Sequence, residues 1–152
     1  MGCIHCNTNN KLPASIKWAD TTAFVPPIGS GRVIKVYDGD TITVANYMPY
    51  KNSPLYRFSV RINGIDCPEL KTRNSTEKQC AIIARDILSK KILNKNVELE
   101  NVSMEKYGRM LANVIYKGEN CGKFLCKKRL AVPYSGGTKT PPEDWMKYYK
   151  SG

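Results

Sequence analysis

The sequence predicts a mainly β fold with helices (α+β), a five-stranded Greek-key barrel of the OB type, and three observations lead there. Apolar and polar residues alternate with a period of two in five separate segments. The one long stretch with helical spacing follows the third of them, and only short helical patterns come after the fifth. Strand, strand, strand, helix, strand, strand is the element order of that barrel. With 152 residues the chain suffices for one domain with a real core and is too short for two of ordinary size. Residues 1–30 read as a flexible arm and 31–150 as the domain.

The arm is poor in periodicity, rich in Asn, Thr, Pro and Gly, and ends in Val25-Pro26-Pro27-Ile28-Gly29-Ser30-Gly31. Its start, Met1-Gly2-Cys3-Ile4-His5-Cys6, resembles a doubly acylated terminus that would attach the chain peripherally to a membrane. The sixth position, however, holds Cys6 in place of Ser or Thr. Cys3, His5 and Cys6 are half a zinc site at most, since the chain has a single His and Cys121 and Cys126 are spaced too widely for a knuckle. A tail with unpaired thiols is the preferred reading.

The first strand is Arg32-Val33-Ile34-Lys35-Val36-Tyr37, and Thr41-Ile42-Thr43-Val44 is the second. Asp38-Gly39 between them is a turn dipeptide, which accounts for Asp38 but does not require Asp40. After a polar loop from Asn46 to Leu55, Phe58, Val60 and Ile62 alternate with Ser59, Arg61 and Asn63, so Arg61 faces away from the core. Gly64 permits a bend and Pro68 cannot continue a ladder, which leaves Asp66 and Glu69 in a constrained loop at the strand's end. Asn74 and Glu77 form a capping box ahead of a helix whose apolar face is Cys80, Ile83, Ala84, Ile87 and Leu88, with Asn94 at its end. Val97-Glu98-Leu99-Glu100 is the fourth strand. The turn Glu105-Lys106-Tyr107-Gly108-Arg109 leads into the fifth, Met110 to Tyr116, closed by Gly118. Phe124, Leu125 and Leu130 suggest a short helix. Thr140-Pro141-Pro142-Glu143 is a start signal for a last helix over Asp144 to Lys150.

Charge narrows the partners. There are 24 Lys and Arg against 13 Asp and Glu, a net +11, and the basic residues cluster, as in Lys127-Lys128-Arg129. A polyanion such as nucleic acid is favoured over mere solubility. No apolar run approaches the ~20 residues needed to span a bilayer. No secretory segment precedes the six cysteines, so reduced thiols in an intracellular compartment are expected, and a monomer.

Arg61, Asp66 and Glu69 put a guanidinium and two carboxylates in one short segment, a combination suited to metal-assisted chemistry on a phosphate. Tyr37-Asp38-Gly39-Asp40-Thr41, then Arg61 through Asp66-Cys67-Pro68-Glu69, then Lys106-Tyr107-Gly108-Arg109 resemble, in order, the three signature blocks of the staphylococcal nuclease (thermonuclease) family. The resemblance covers about Arg32 to Tyr134. It implies a calcium-dependent endonuclease acting on single-stranded DNA and RNA, or on frayed duplex, and leaving 3′-phosphates. Asp40 and Asp66 are hard oxygen donors that suit Ca²⁺ better than a nitrogen- or sulfur-loving metal. By resemblance a backbone carbonyl completes the set, here that of Cys67 in place of the family's Thr, with a thiol that would make the site sensitive to soft metals or oxidation.

Arg61 and Arg109 have the forked donors that match phosphate oxygens in pairs. The family assigns the position of Glu69 to the attacking water. Tyr107 and Tyr134 are candidates to stack on or hydrogen-bond the nucleotide, against an equal case for core aromatics, and Tyr134 sits one position early with Gly136 where a second tyrosine is usual. Lys106 matches a substrate-contacting lysine by position. The alternative is a non-catalytic OB-type module that grips single strands by charge. A glycosidase built on Asp40, Asp66 and Glu69 fits poorly with two arginines and a basic surface.

Overall fold

The computed structural model describes residues 11–152. The acylation reading at Gly2 and Cys3 and the zinc reading at Cys3, His5 and Cys6 lie outside them. Alternating apolar residues make five main strands: β1 (Ser30–Val36), β2 (Thr41–Tyr47), β3 (Leu55–Ile62), β5 (Asn96–Met104) and β6 (Met110–Tyr116). They run in the order β3-β2-β1-β5-β6, and β6 returns to lie parallel beside β3, with Val60 opposite Met110 and Ile62 opposite Ala112. That last pairing closes the barrel and leaves no long free edge, which is what lets a small sheet bury one whole face.

Val33, Ile42, Val44, Val60, Ile62, Ala112 and Val114 fill the interior with no solvent exposure. Packing reaches back along the chain to Ile28, which is buried, and Leu99 donates its N–H to Gly29 O. β1 and β2 slip register between Val33 and Lys35, a bulge that bends the strand around the barrel.

Helix α1 (Ser75–Ile92) begins at Asn74, whose side chain accepts from the N–H groups of Thr76 and Glu77. The expected capping box forms only in half, because Glu77 does not reach back to Asn74: its carboxylate turns to the loop before the helix. Cys80, Ala84, Leu88 and Ile92 are buried, and Asn94, with φ +62°, takes the chain out of the helix.

Three two-residue strands escaped the alternation pattern because they are too short to show one: β4 (Ile65–Asp66), β7 (Glu119–Asn120) and β8 (Val132–Pro133). β4 pairs with β8, which draws the loop after β8 over the end of β3. Helix α2 is Cys121–Lys127, so Leu130 lies beyond it, and α3 is Trp145–Lys150. Asp144 caps α3 by accepting from Lys147 N, and the prolines at 141 and 142 precede the helix instead of occupying its first turn. Among the described residues no helix is long and apolar enough to cross a membrane, and the described cysteines are free thiols.

Candidate active site

Four segments converge at one end of the barrel: the β1–β2 turn, the loop after β4, the β5–β6 turn and the loop after β8. They enclose a cleft of about 400 Å³ whose walls include Asp40, Arg61, Cys67, Glu69, Arg109 and Lys139. Of the residues singled out in the sequence, the cleft gathers Asp40, Arg61, Cys67, Glu69 and Arg109. Asp66 lies against it through its neighbours.

The β1–β2 turn is shaped by Gly39. A Cβ there would stand 2.8 Å from Cys67 Sγ and 3.2 Å from Ala84 Cβ, so only glycine lets the turn settle on the loop after β4 and on α1. Asp40 then points into the cleft, its Oδ1 accepting from Thr41 Oγ1 at 3.0 Å and its N–H donating to Asp38 Oδ1 at 3.2 Å. Asp38 is more than a turn residue. Burial, and after it the charge of Asp40, raises its carboxyl from 3.8 to about 7. A fourth carboxyl group, beside Asp40, Asp66 and Glu69, thus belongs to the site, and the turn dipeptide concealed it.

The alternation in β3 turns Arg61 outward, as expected. It points away from the barrel interior yet is only 9% exposed, because the loop after β8 covers it and Tyr134 lies across its guanidinium, 5.5 Å from ring centre to Cζ. One terminal nitrogen donates to Ile62 O at 3.1 Å, and the other stands 3.4 Å from Asp40 Oδ2 and 3.8 Å from Asp66 Oδ1. The guanidinium therefore joins two carboxylates from separate loops.

Asp66 is 3% exposed, and its Oδ1 has no hydrogen-bond donor in line, although Lys139 Nζ lies 2.9 Å away as an ion pair. Lys139 also donates to Glu69 Oε1 at 3.1 Å. Burial opposes its charge, but the two carboxylates outweigh that and hold its pKa raised. Nothing in the local sequence marks this lysine. It arrives because Gly136 and Gly137, at φ +97° and +78°, fold the loop back on itself, a path closed to residues with a side chain. Glu69 is the exposed acid of the set, and its loop is pinned by α1: Glu77 accepts from Glu69 N at 3.1 Å and from Thr72 Oγ1 at 3.0 Å.

Arg109 comes from the β5–β6 turn, and Glu105 of the same turn holds it with both carboxylate oxygens. Oε1 accepts from Nε and from the backbone N–H, each at 3.1 Å, and Oε2 accepts from the outer nitrogen at 3.3 Å. The third guanidinium nitrogen donates to Thr41 Oγ1 at 3.3 Å, which ties the two turns together. These bonds lower the pKa of Glu105. Lys106 and Tyr107 sit on that turn but outside the cleft walls, with Lys106 Nζ 5.0 Å from the Tyr107 ring centre and Tyr107 74% exposed. Tyr134 braces Arg61 from behind and donates its hydroxyl to Gly137 O at 2.9 Å.

The donors facing the cleft are oxygens. Among the described residues no three His, Cys, Asp or Glu side chains form a ready cation cage. The buried, undirected lone pair of Asp66 Oδ1 beside Asp40 still suits a hard cation that keeps part of its water. The Cys67 thiol offers no competing ligand. It is packed toward Gly39 and Ala84 and 3% exposed, and burial first, then Asp40, Asp38 and Asp66, push its pKa well up, which disfavours the thiolate.

A family model described as staphylococcal nuclease homologue matches residues 59–150, more than half of the chain. The match begins inside β3, so Asp38 and Asp40 fall outside it and join the site through the barrel alone. No curated protein matches the chain.

Proposed function

The chain belongs to the family of staphylococcal nuclease homologues, and from that premise we propose that it is a calcium-dependent endonuclease hydrolysing phosphodiester bonds of single-stranded or frayed DNA and RNA to 3′-phosphates. Membership by itself carries the coarser statement of a nuclease-like or nucleic-acid-binding function. The observation that supports hydrolysis is that Arg61, Arg109 and Glu69, delivered by three different segments, line one cleft with Asp40.

Asp40, Asp66 and the Cys67 carbonyl would hold Ca²⁺, which supplies a Lewis acid for a phosphoryl oxygen. Arg109 reaches the cleft with its fork aligned by Glu105 and by Thr41, so it meets a phosphate oxygen with little further ordering. Arg61, fixed between carboxylates and braced by Tyr134, contributes a second positive charge where charge grows on the phosphoryl group. Glu69, exposed at the mouth, accepts the proton of a water attacking phosphorus in line. Lys139 shares that carboxylate and orients it. Lys106 and Tyr107 at the rim, and Tyr134 behind Arg61, would contact the flanking nucleotide.

Digestion of a fluorescent single-stranded oligonucleotide tests the reading. Cutting is expected with Ca²⁺, none with chelator, and Glu69→Gln should slow it by about 10²-fold or more. If the folded, calcium-saturated protein leaves every oligonucleotide whole, the hydrolase reading is lost. Salt-sensitive binding indifferent to chelator would then assign the chain to the non-catalytic class. Acylation at Gly2 and Cys3 is a separate question, read by intact mass of the protein from its native host.

A further inference from the structure

We propose that Lys139 is a built-in competitor of the metal ion: its ammonium and a divalent cation exchange at Asp66, so this lysine sets the affinity of the site for Ca²⁺. The inference rests on the calcium reading above and deepens it by naming what the ion must displace. Lys139 Nζ stands 2.9 Å from Asp66 Oδ1 and 3.1 Å from Glu69 Oε1. The first of these is the buried oxygen that suits a hard cation.

Both cations cannot share it well. Calcium meets a carboxylate oxygen at ~2.3–2.6 Å, so an ammonium 2.9 Å from the same atom would lie within about 5.5 Å of the ion. The Asp66 side chain is 5% exposed and its Oδ1 also stands 3.8 Å from an Arg61 nitrogen, so little water separates these like charges. One of them has to leave. Arg61 is held by Ile62 O, by Asp40 and by the Tyr134 ring across its guanidinium. Lys139 is not held in that way. Its side chain is 42% exposed, and its contact with Asp66 pairs two charges without an aligned hydrogen bond. The exposed Glu69 lets the ammonium keep one carboxylate while it gives up the other.

Solubility does not account for an ammonium that reaches a nearly buried carboxylate. The loop that delivers it is anchored at its base, where Tyr134 N donates to Gly64 O. Further along, between Ser135 and Glu143, the hydrogen bond from Tyr134 Oη to Gly137 O closes the loop on itself. Among the described residues, the polar contacts that tie this stretch to the opposite wall of the cleft are those of Lys139. A tip held through one side chain opens at low cost, which is what an exchange requires.

Calorimetric titration of the full chain with CaCl₂, at fixed pH and ionic strength, tests the exchange without any turnover. Lys139→Met keeps the length of the side chain and removes its charge. It is expected to tighten calcium binding about tenfold, the coupling that one partly screened charge contact supplies. Lys139→Arg keeps a competitor and should stay near the parent. Lys71→Met removes a charge from the wall of the same cleft and should change the affinity by no more than about twofold. Unchanged binding in Lys139→Met, or an equal gain in Lys71→Met, overturns the exchange.

Trypsin gives a second reading on the parent protein, valid even if Lys139→Met fails to fold. The protease must take the ammonium into its own acidic pocket, so cutting after Lys139 reports how often that group is free. Measured against cutting after the exposed Lys17, it should speed up severalfold when Ca²⁺ is added. A rate that stays the same or falls overturns the exchange. Chelator-sensitive cutting of an oligonucleotide, with no gain of affinity in Lys139→Met, leaves the nuclease standing without the exchange. Exchange in a protein that leaves every oligonucleotide whole does the reverse. If neither parent nor variant takes up calcium, the exchange falls together with the calcium reading.

Discussion

Glu105 touches no substrate in the proposed reaction, yet Glu105→Gln is expected to slow it. Its carboxylate accepts two bonds from the Arg109 guanidinium and one from the Arg109 N–H. An amide keeps one acceptor oxygen, so one guanidinium bond and the ion pair are lost. A hydrogen bond to a charged group contributes about 1.5–3 kcal/mol. The Arg109 side chain is 32% exposed, so water screens part of this, and ~1–2 kcal/mol is the reasonable share. Were all of it felt in the transition state, kcat/KM would fall about 5- to 30-fold.

Initial rates on a short oligonucleotide measure that, and a double-mutant cycle with Arg109→Ala isolates the cause. In the Arg109→Ala background, Glu105→Gln should add almost nothing, since the group it positions is gone. Independent, multiplying losses would refute the idea that Glu105 acts through Arg109. So would a parent-like rate in the single variant.

Arg61→Ala and Arg109→Ala are both expected to cut turnover by about 10²-fold, but they should part in stability. Removing Arg61 leaves Asp40 and Asp66 facing each other nearly buried, a loss on the order of 3–5 kcal/mol, so its melting temperature should drop in metal-free buffer and recover in part with Ca²⁺. Gly39→Ala should destabilise by about 1–3 kcal/mol through the clash with Cys67 Sγ, and adding Cys67→Ala should return much of it in a denaturant melt. The Arg109 hydrogen bond lowers the pKa of Glu105 below its usual 4.5. The unfolded state therefore binds the proton more readily, and the stability from this pair is complete above about pH 4.5 and lost as pH falls through the lowered value. Thermal melts of Glu105→Gln against the parent should differ at neutral pH and converge in acid.

The barrel was legible because its cause is local and repeated. Val60 and Ile62 alternate with Ser59 and Arg61, and the apolar positions of α1 recur at 3.6-residue spacing, so each segment declares which face it buries. The same regularity put Arg61 on the outward face of its strand and Asp66 and Glu69 in the loop at that strand's end. Turn chemistry was equally plain, but it misled where one residue serves two ends. Asp38 satisfies the turn and also shares its burial with Asp40, and Glu77 begins a helix and also holds the Glu69 loop.

The sequence by itself determined the order of the elements, the basic character of the surface and the kinds of side chain available for chemistry, since propensity, period and charge are properties of a residue and its near neighbours. Tertiary structure alone decided that Lys139 lies against Asp66 and Glu69, and that Arg61 is roofed by Tyr134. These contacts join residues far apart along the chain. They exist because β6 closes on β3 and β8 pairs with β4, and no local rule of spacing contains either closure.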